Sequence, residues 1–159
     1  MAAESSRPAG HCSLVKVGTL KLNDISSNPW YTGTVFLPEH GMVLVDNRSC
    51  IVKFHDLSTG ELLASSDQLP EPWDVCVLKA SQSKVAVSSR NGEVRIMSVR
   101  HNVQSTAIRL EKTIQTNLEV GFIVNVIKSR GKLLLSGNYR GKLCWSAVSL
   151  SSHKPVGRI

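Results

Sequence analysis

Three segments of the chain share one pattern of apolar and polar residues. Residues 42–57, 84–99 and 132–148 each hold an apolar run, a polar turn and a second run that alternates between apolar and polar. The first two align without a gap, and the segments start 42 and 48 residues apart. An aromatic residue opens the apolar stretch before each of them, at Trp30, Trp73 and Phe122. A period of this length indicates a unit that buries its apolar faces against neighbouring copies of itself.

The residue types inside the units predict β-strands. Val85 and Val87 in the second unit are β-branched and stand at a spacing of two, which is the period of a strand. Asn91 and Gly92 follow them and predict a tight hairpin, in which both central residues would adopt positive φ. A fourth strand is expected in each of the first two units, at Glu61–Ser66 and Arg109–Gln115.

The predicted fold class is therefore all-β. We expect a partial β-propeller of about three four-stranded antiparallel blades of 42–49 residues, plus one leading strand at Leu14–Leu22. Since propellers close with four to eight blades, three blades leave open edges. We therefore expect a fragment of a longer propeller, a truncated gene product, or an obligate oligomer that self-associates through those edges.

The repeat also fixes the expected domain boundaries. Residues 1–13 are expected to form a disordered leader, residues 14–150 the propeller blades, and residues 151–159 a flexible tail. The blades are expected to divide at about 24–67, 68–116 and 117–150.

Composition and motifs indicate a chain without chemistry of its own. No apolar stretch approaches the roughly 18 residues of a membrane-spanning helix, and no signal peptide is recognisable at the N-terminus, which predicts a cytoplasmic protein away from membranes. No catalytic, cofactor-binding or metal-binding residues are predicted, because hydrolase, metalloprotease and phosphate-loop motifs are missing. The four cysteines form no C-x-x-C pair: Cys12, Cys50, Cys76 and Cys144.

One arginine per unit stands in the same predicted turn. In an antiparallel meander the turn between the second and third strands lies beside the start of the first, so one rim should collect these turns and the leading aromatics. The residues predicted for this rim are Arg48, Arg90, Arg140, Asn47, Asn91, Tyr139, Trp30 and Trp73. We interpret the rim as a candidate partner-binding surface.

Two other interpretations of these residues stay open. Arginine grips phosphate bidentately and aromatic rings stack on bases, so the rim could bind single-stranded RNA, which the net charge of +7 permits. Alternatively the arginines are ordinary solvated turn residues, and Trp30 and Trp73 pack between blades.

The segment Leu44–Leu63 resembles an NHL repeat. That family has a strand ending in Asp, a turn with Asn and Arg, then a strand ending in an aromatic residue and Asp, followed by Gly. These features fall on Asp46, Asn47, Arg48, Phe54, Asp56 and Gly60, while Ser88 and Ser136 replace the strand-ending Asp in the later units. The stretch Pro72–Cys76 is similar to the C-terminal propeller of invertebrate tripartite-motif (TRIM/B-box) proteins.

The resemblance implies a role in recognition. In tripartite-motif proteins, RING and B-box zinc modules and a coiled coil precede the propeller, and their zinc-ligand pairs are absent from this sequence. We therefore expect a non-catalytic protein-interaction module, such as the substrate-recognition propeller of a TRIM-like ubiquitin ligase or a related scaffold. The alternatives are RNA binding through the basic rim, and a fragment of a propeller enzyme whose catalytic residues lie in other blades.

Overall fold

The computed structural model describes residues 19–24, 27–37, 41–79, 83–102, 104–116, 121–129, 131–139, 142–151 and 155–158. Within them the regular elements are β-strands: β1 Tyr31–Leu37, β2 Gly41–Asp46, β3 Ile51–His55, β4 Leu62–Ser65, β5 Pro72–Lys79, β6 Lys84–Ser89, β7 Glu93–His101, β8 Thr106–Gln115, β9 Gly121–Ser129, β10 Lys132–Tyr139, β11 Lys142–Ser149 and β12 Pro155–Arg158. No helix in these described ranges is long and apolar enough to cross a membrane.

The strands form three antiparallel four-stranded sheets, each a meander in sequence order. We call them blade 1 (β1–β4), blade 2 (β5–β8) and blade 3 (β9–β12). The first strands lie side by side, β1 against β5 and β5 against β9, while the outer strand β4 approaches β8. This radial order is that of a propeller segment, and it confirms the predicted fold class.

The two ends of the repeat differ from the sequence-based expectation. Blade 3 takes its outer strand from Pro155–Arg158, which pairs with β11 in the segment predicted to be a flexible tail. The leading strand was expected at Leu14–Leu22, of which residues 14–18 lie outside the described residues, as does the predicted leader over 1–13. The described part of this segment, residues 19–22, contains no strand, and the isolated parallel bridge between Asn23 and Glu61 beside β4 lies just after it.

Two apolar cores hold the three blades together. Between blades 1 and 2, buried residues of β2 and β3 such as Val43 and Phe54 pack against β6 and β7 residues such as Val85 and Met97. The core between blades 2 and 3 contains Leu78, Ala86, Val94, Ile96, Ile114, Leu133, Leu135 and Val148. Fully burying one such side chain contributes about 1.5–3 kcal/mol. Blade 2 is therefore covered by a neighbour on both faces.

One turn corrects the gapless alignment of the first two repeats. Val43 faces blade 2, whereas its aligned counterpart Val85 faces blade 1. The β2–β3 turn has four residues, Asn47–Cys50, but the β6–β7 turn has only three, Arg90–Gly92. Successive side chains of a strand point to opposite faces. Residues of β2 therefore correspond to residues of β6 that lie 43 positions later, not 42, so that Met42 corresponds to Val85. The same spacing of 43 residues separates Trp30 from Trp73.

The same short turn has a different form from the one predicted. Gly92 has φ of 83°, but Asn91 is not among the residues with positive φ. The hairpin is thus a three-residue turn closed by a left-handed glycine, and the Gly92 N–H donates to the Ser89 carbonyl at 3.2 Å.

Candidate partner-binding rim

The first two blades place their predicted rim residues together. The Trp30 N–H donates to the Asp46 carboxylate at 3.0 Å, and the Asn47 N–H donates to the Trp30 carbonyl at 3.0 Å. In blade 2 the Arg90 N–H donates to the Glu71 carbonyl at 3.0 Å. The β2–β3 and β6–β7 turns therefore lie beside the starts of β1 and β5, and the arginines and tryptophans share one edge.

The two tryptophans contact each other across blades 1 and 2. Their ring centroids lie 5.6 Å apart with an interplanar angle of 80°, an edge-to-face arrangement. The guanidinium carbon of Arg90 lies 3.6 Å from the centroid of the Trp73 ring. Trp30 is 48% exposed, whereas Trp73 is half-buried beneath Arg90. One aromatic surface is thus open to solvent and the other is covered by a cation.

Asn47 and Arg48 complete the cluster. The Asn47 side-chain amide donates to the Pro72 carbonyl at 2.9 Å, which ties the blade 1 turn to the start of β5. Arg48 is exposed and donates to the Asn28 carbonyl at 3.3 Å. Beside it lies a groove of about 420 Å³, lined by Arg48, Ser49, Cys50, Gln68, Leu69 and Pro70.

The remaining predicted rim residues either lie apart from this cluster or fall outside the described residues. Asn91 is exposed, and its side-chain oxygen accepts the Glu93 N–H at 3.1 Å, which stabilises its own turn. The backbone of Tyr139 ends β10 opposite Gly121, at the start of β9 and thus at the corresponding rim. Arg140 lies outside the described residues.

A buried ion network beneath the rim was missed by the sequence analysis. The Lys53 ammonium is fully buried and lies 2.7 Å from Asp46 Oδ2 and 2.7 and 2.9 Å from the Asp24 oxygens. The Tyr31 hydroxyl donates to Asp24. Burial, followed by this hydrogen bond and the nearby negative charges, raises the pKa of Tyr31 well above its usual range. Taking an ammonium out of water costs several kcal/mol, which the two carboxylates offset.

Asp46 connects this network to the rim. Its Oδ1 accepts the N–H groups of Trp30, at 3.0 Å, and of Ser49, at 3.3 Å, while Oδ2 accepts from Lys53. Burial alone would raise the pKa of Asp46, but these hydrogen bonds outweigh it and hold the pKa at about 2. In blade 2 the Ser88 hydroxyl accepts the Asp74 N–H at 3.2 Å and donates to the Asp74 carbonyl at 3.4 Å, so this serine contacts both backbone groups of one residue near the start of β5.

The rim offers contacts for a partner. Within the described ranges, no group of three or more His, Cys, Asp or Glu side chains could hold a metal ion. The arrangement is instead a fixed surface that carries an exposed indole and an exposed guanidinium. These are side chains that dominate binding energy at protein interfaces.

No protein-family model matches the chain, and no curated protein matches its sequence. Several solved structures match its fold. The β-propeller domain of Cps50 (Swd1) from Myceliophteria thermophila aligns with a TM-score of 0.67 and 12% identity, over 82% of this chain and 41% of that one. The Dos1 propeller aligns with a TM-score of 0.68 and 13% identity, over 87% and 38% respectively.

A third similar structure is BamB from Moraxella catarrhalis, with a TM-score of 0.53 and 11% identity, over 74% of this chain and 33% of that one. The chain thus spans about two fifths or less of the length of these proteins. At such low identity the likeness concerns the fold. The topology of the three sheets and these alignments agree that the chain folds as a segment of a β-propeller.

Proposed function

We propose that this chain is a non-catalytic protein-interaction module that binds a protein partner through the rim of Trp30, Asn47, Arg48, Trp73 and Arg90. The observation that carries the proposal is the half-exposed Trp30 on the same rim as the exposed Arg48, on a surface fixed by hydrogen bonds between side chains and backbone. A surface held in place before binding loses little conformational entropy when a partner docks.

The resemblance of Leu44–Leu63 to an NHL repeat supports a narrower proposal. The module would be the substrate-recognition propeller of a TRIM-like ubiquitin ligase, or of a related scaffold, acting in the cytoplasm. Ubiquitin transfer would then require RING modules supplied by further chain or by a partner. Fold alone does not determine this function, so the narrower proposal rests on the family resemblance.

The geometry favours protein over single-stranded RNA. Base stacking requires an open aromatic face, and because Arg90 covers a face of Trp73 at 3.6 Å, Trp30 is the one ring of this pair that is open to a base. The two indoles meet at 80°, so they do not form a parallel platform for successive bases. Arg90 is also engaged by the indole, which leaves the exposed Arg48 as the main phosphate contact of the described cluster.

The test is site-specific photo-crosslinking in cell extract. A benzophenone amino acid in place of Trp30 should capture discrete proteins, and the same group in place of Lys112, an exposed residue on β8, should not capture them. Arg48→Glu should reduce capture from position 30 roughly tenfold, as expected for a hot-spot arginine. Crosslinks that are identical at positions 30 and 112, or unaffected by Arg48→Glu, would contradict the proposal.

A second titration separates RNA from protein. Fluorescein-labelled polyuridine is added to the wild type and to the double variant Arg48→Glu, Arg90→Glu at two salt concentrations. We expect weak binding that is the same for both proteins. Tight binding that falls steeply with salt and disappears in the double variant would favour RNA as the rim ligand.

A further inference from the structure

Both outer faces of the three-blade stack expose large apolar side chains. We call the face of blade 1 away from blade 2 the first flank, where Phe36 is 59%, Leu57 49% and Leu20 37% exposed. These residues border a groove of about 870 Å³ whose floor includes Met42 and Leu44. We call the face of blade 3 away from blade 2 the last flank, where Trp145 is 40% exposed.

The last flank repeats a surface that is buried elsewhere in the molecule. Between β10 and β11 of blade 3, Ser136 pairs with Trp145 and Leu134 with Ala147. The corresponding pairs between β6 and β7 of blade 2 are Ser88 with Val94 and Ala86 with Ile96. The blade 2 residues Ala86, Val94 and Ile96 are buried against blade 3. The last flank thus carries the counterparts of the blade 2 residues that pack against blade 3.

The first flank is the reciprocal surface. Val85 and Val87 of blade 2 are buried against blade 1. With the one-residue shift in the β2–β3 turn, their counterparts in blade 1 are Met42 and Leu44, which form the floor of the groove. The first flank is thus built to receive the face of a preceding sheet of the same repeat.

We propose that two copies of this chain close a six-bladed ring, in which the last flank of each copy packs on the first flank of the other. Trp145 of one copy covers the groove between Leu20 and Phe36 of its partner. Six blades lie within the range in which propellers close. The contact is head-to-tail, because the last flank of one copy meets the first flank of the other. The two-fold symmetry of the dimer repeats this contact, so all four flanks are covered. Because β12 completes blade 3 from the same chain, the copies exchange no strand.

The experiment is light scattering coupled to size-exclusion chromatography, with far-UV circular dichroism on each peak. We expect a β-rich dimer for the wild type. Phe36→Glu and Trp145→Glu should each give a folded monomer, because a charge on either flank breaks both interfaces of the ring. Leu57→Glu provides a second first-flank variant, and Lys112→Glu is a matched surface control that should remain dimeric.

Mixing the two single variants distinguishes this geometry from other dimers. A mixed pair of Phe36→Glu and Trp145→Glu chains retains one intact interface, so dimers should reappear, though more weakly than in the wild type. A symmetric dimer through the first flanks would instead survive Trp145→Glu and would not be restored by mixing.

Three results would overturn the proposal. They are a folded wild-type monomer at every concentration, large aggregates in place of dimers, and mixed variants that stay monomeric. The first two would indicate that further blades of a longer protein cover the flanks. Since the flank variants leave the rim unchanged, the outcome is independent of the crosslinking test of the rim.

Discussion

Asp46 links the inside of blade 1 to its rim. One carboxylate oxygen accepts from the buried Lys53 ammonium, and the other holds the N–H groups of Trp30 and Ser49. The backbone position of Trp30 therefore depends on the charge balance beneath it. Loss of the cation would leave two carboxylates with low exposure facing each other without compensation.

The first prediction concerns that cation. Lys53→Met should lower the free energy of unfolding by about 3–5 kcal/mol, because it leaves a buried, uncompensated negative charge. Urea denaturation followed by circular dichroism measures the change. The control is Lys84→Met, which removes a half-exposed ion pair with Glu111 at 2.7 Å and should cost at most about 1 kcal/mol. Similar losses in both variants would contradict the assigned role of Lys53.

The second prediction follows from the pKa of Asp46, which lies at about 2 in the folded chain, below its value of 3.8 without these contacts. The stabilisation is therefore complete above about pH 4 and is lost as the pH falls toward 2. The shift corresponds to roughly 2 kcal/mol. Unfolding free energies measured between pH 5 and pH 2 should fall less steeply for Asp46→Asn than for the wild type, and parallel curves would refute the prediction.

The sequence predicted the neighbourhood of the rim residues, but it did not predict the buried ion network beneath them. The neighbourhood of Trp30, Asn47 and Arg48 follows from strand alternation and meander order, which are local rules. The contact of Lys53 with Asp24 joins residues 29 positions apart, through a segment whose course beside β4 no local pattern indicates. A charged residue flanked by buried Val52 and Phe54 was the available signal, but its partners depend on tertiary placement.

At the scale of elements, the length of a turn decides which blade a strand faces. The turn Asn47–Cys50 has one residue more than the turn Arg90–Gly92. As a result Val43 faces blade 2, whereas Val85, with which it aligns in sequence, faces blade 1. Sequence similarity could not reveal this, because β2 and β6 contain continuous apolar runs that are buried on both faces, and such runs still align apolar with apolar after a shift of one residue. The strand positions were predictable, but the assignment of each residue to a core was not.

The third prediction compares two glycines with nearly equal φ, Gly60 at 76° and Gly131 at 75°. A methyl group at Gly131 would meet nothing within 4 Å, but at Gly60 it would lie 2.2 Å from the Lys21 carbonyl oxygen. Gly131→Ala should therefore cost only the backbone term of about 1–2 kcal/mol. Gly60→Ala should cost clearly more and expose residues 19–24 to proteolysis. Equal melting temperatures for the two variants would refute the prediction.

At the scale of the whole molecule, blade 2 is covered on both faces and the outer blades on one. The repeat predicted this imbalance, because three units fall short of a closed propeller. The completion of blade 3 by β12 was not predictable, since the short segment Pro155–Arg158 contains proline and glycine, which are unfavourable in strands.

The fourth prediction is that stability depends on protein concentration. If two copies close the ring, dimerisation stabilises the folded chain by mass action. The melting temperature of the wild type should rise over a hundredfold increase in concentration, whereas that of Trp145→Glu should stay constant. A wild-type melting temperature that does not change with concentration would contradict ring closure.

The edge-to-face contact of Trp30 and Trp73 has a spectroscopic consequence. Two indoles with centroids 5.6 Å apart and planes at 80° are close enough for their electronic transitions to couple, which produces a paired positive and negative band in circular dichroism. The third tryptophan of the chain, Trp145, lies on blade 3, so its burial by ring closure should shift the emission spectrum while the paired band stays unchanged. The rim and the last flank thus carry separate optical signals, so that partner docking and ring closure can be followed in the same unlabelled sample.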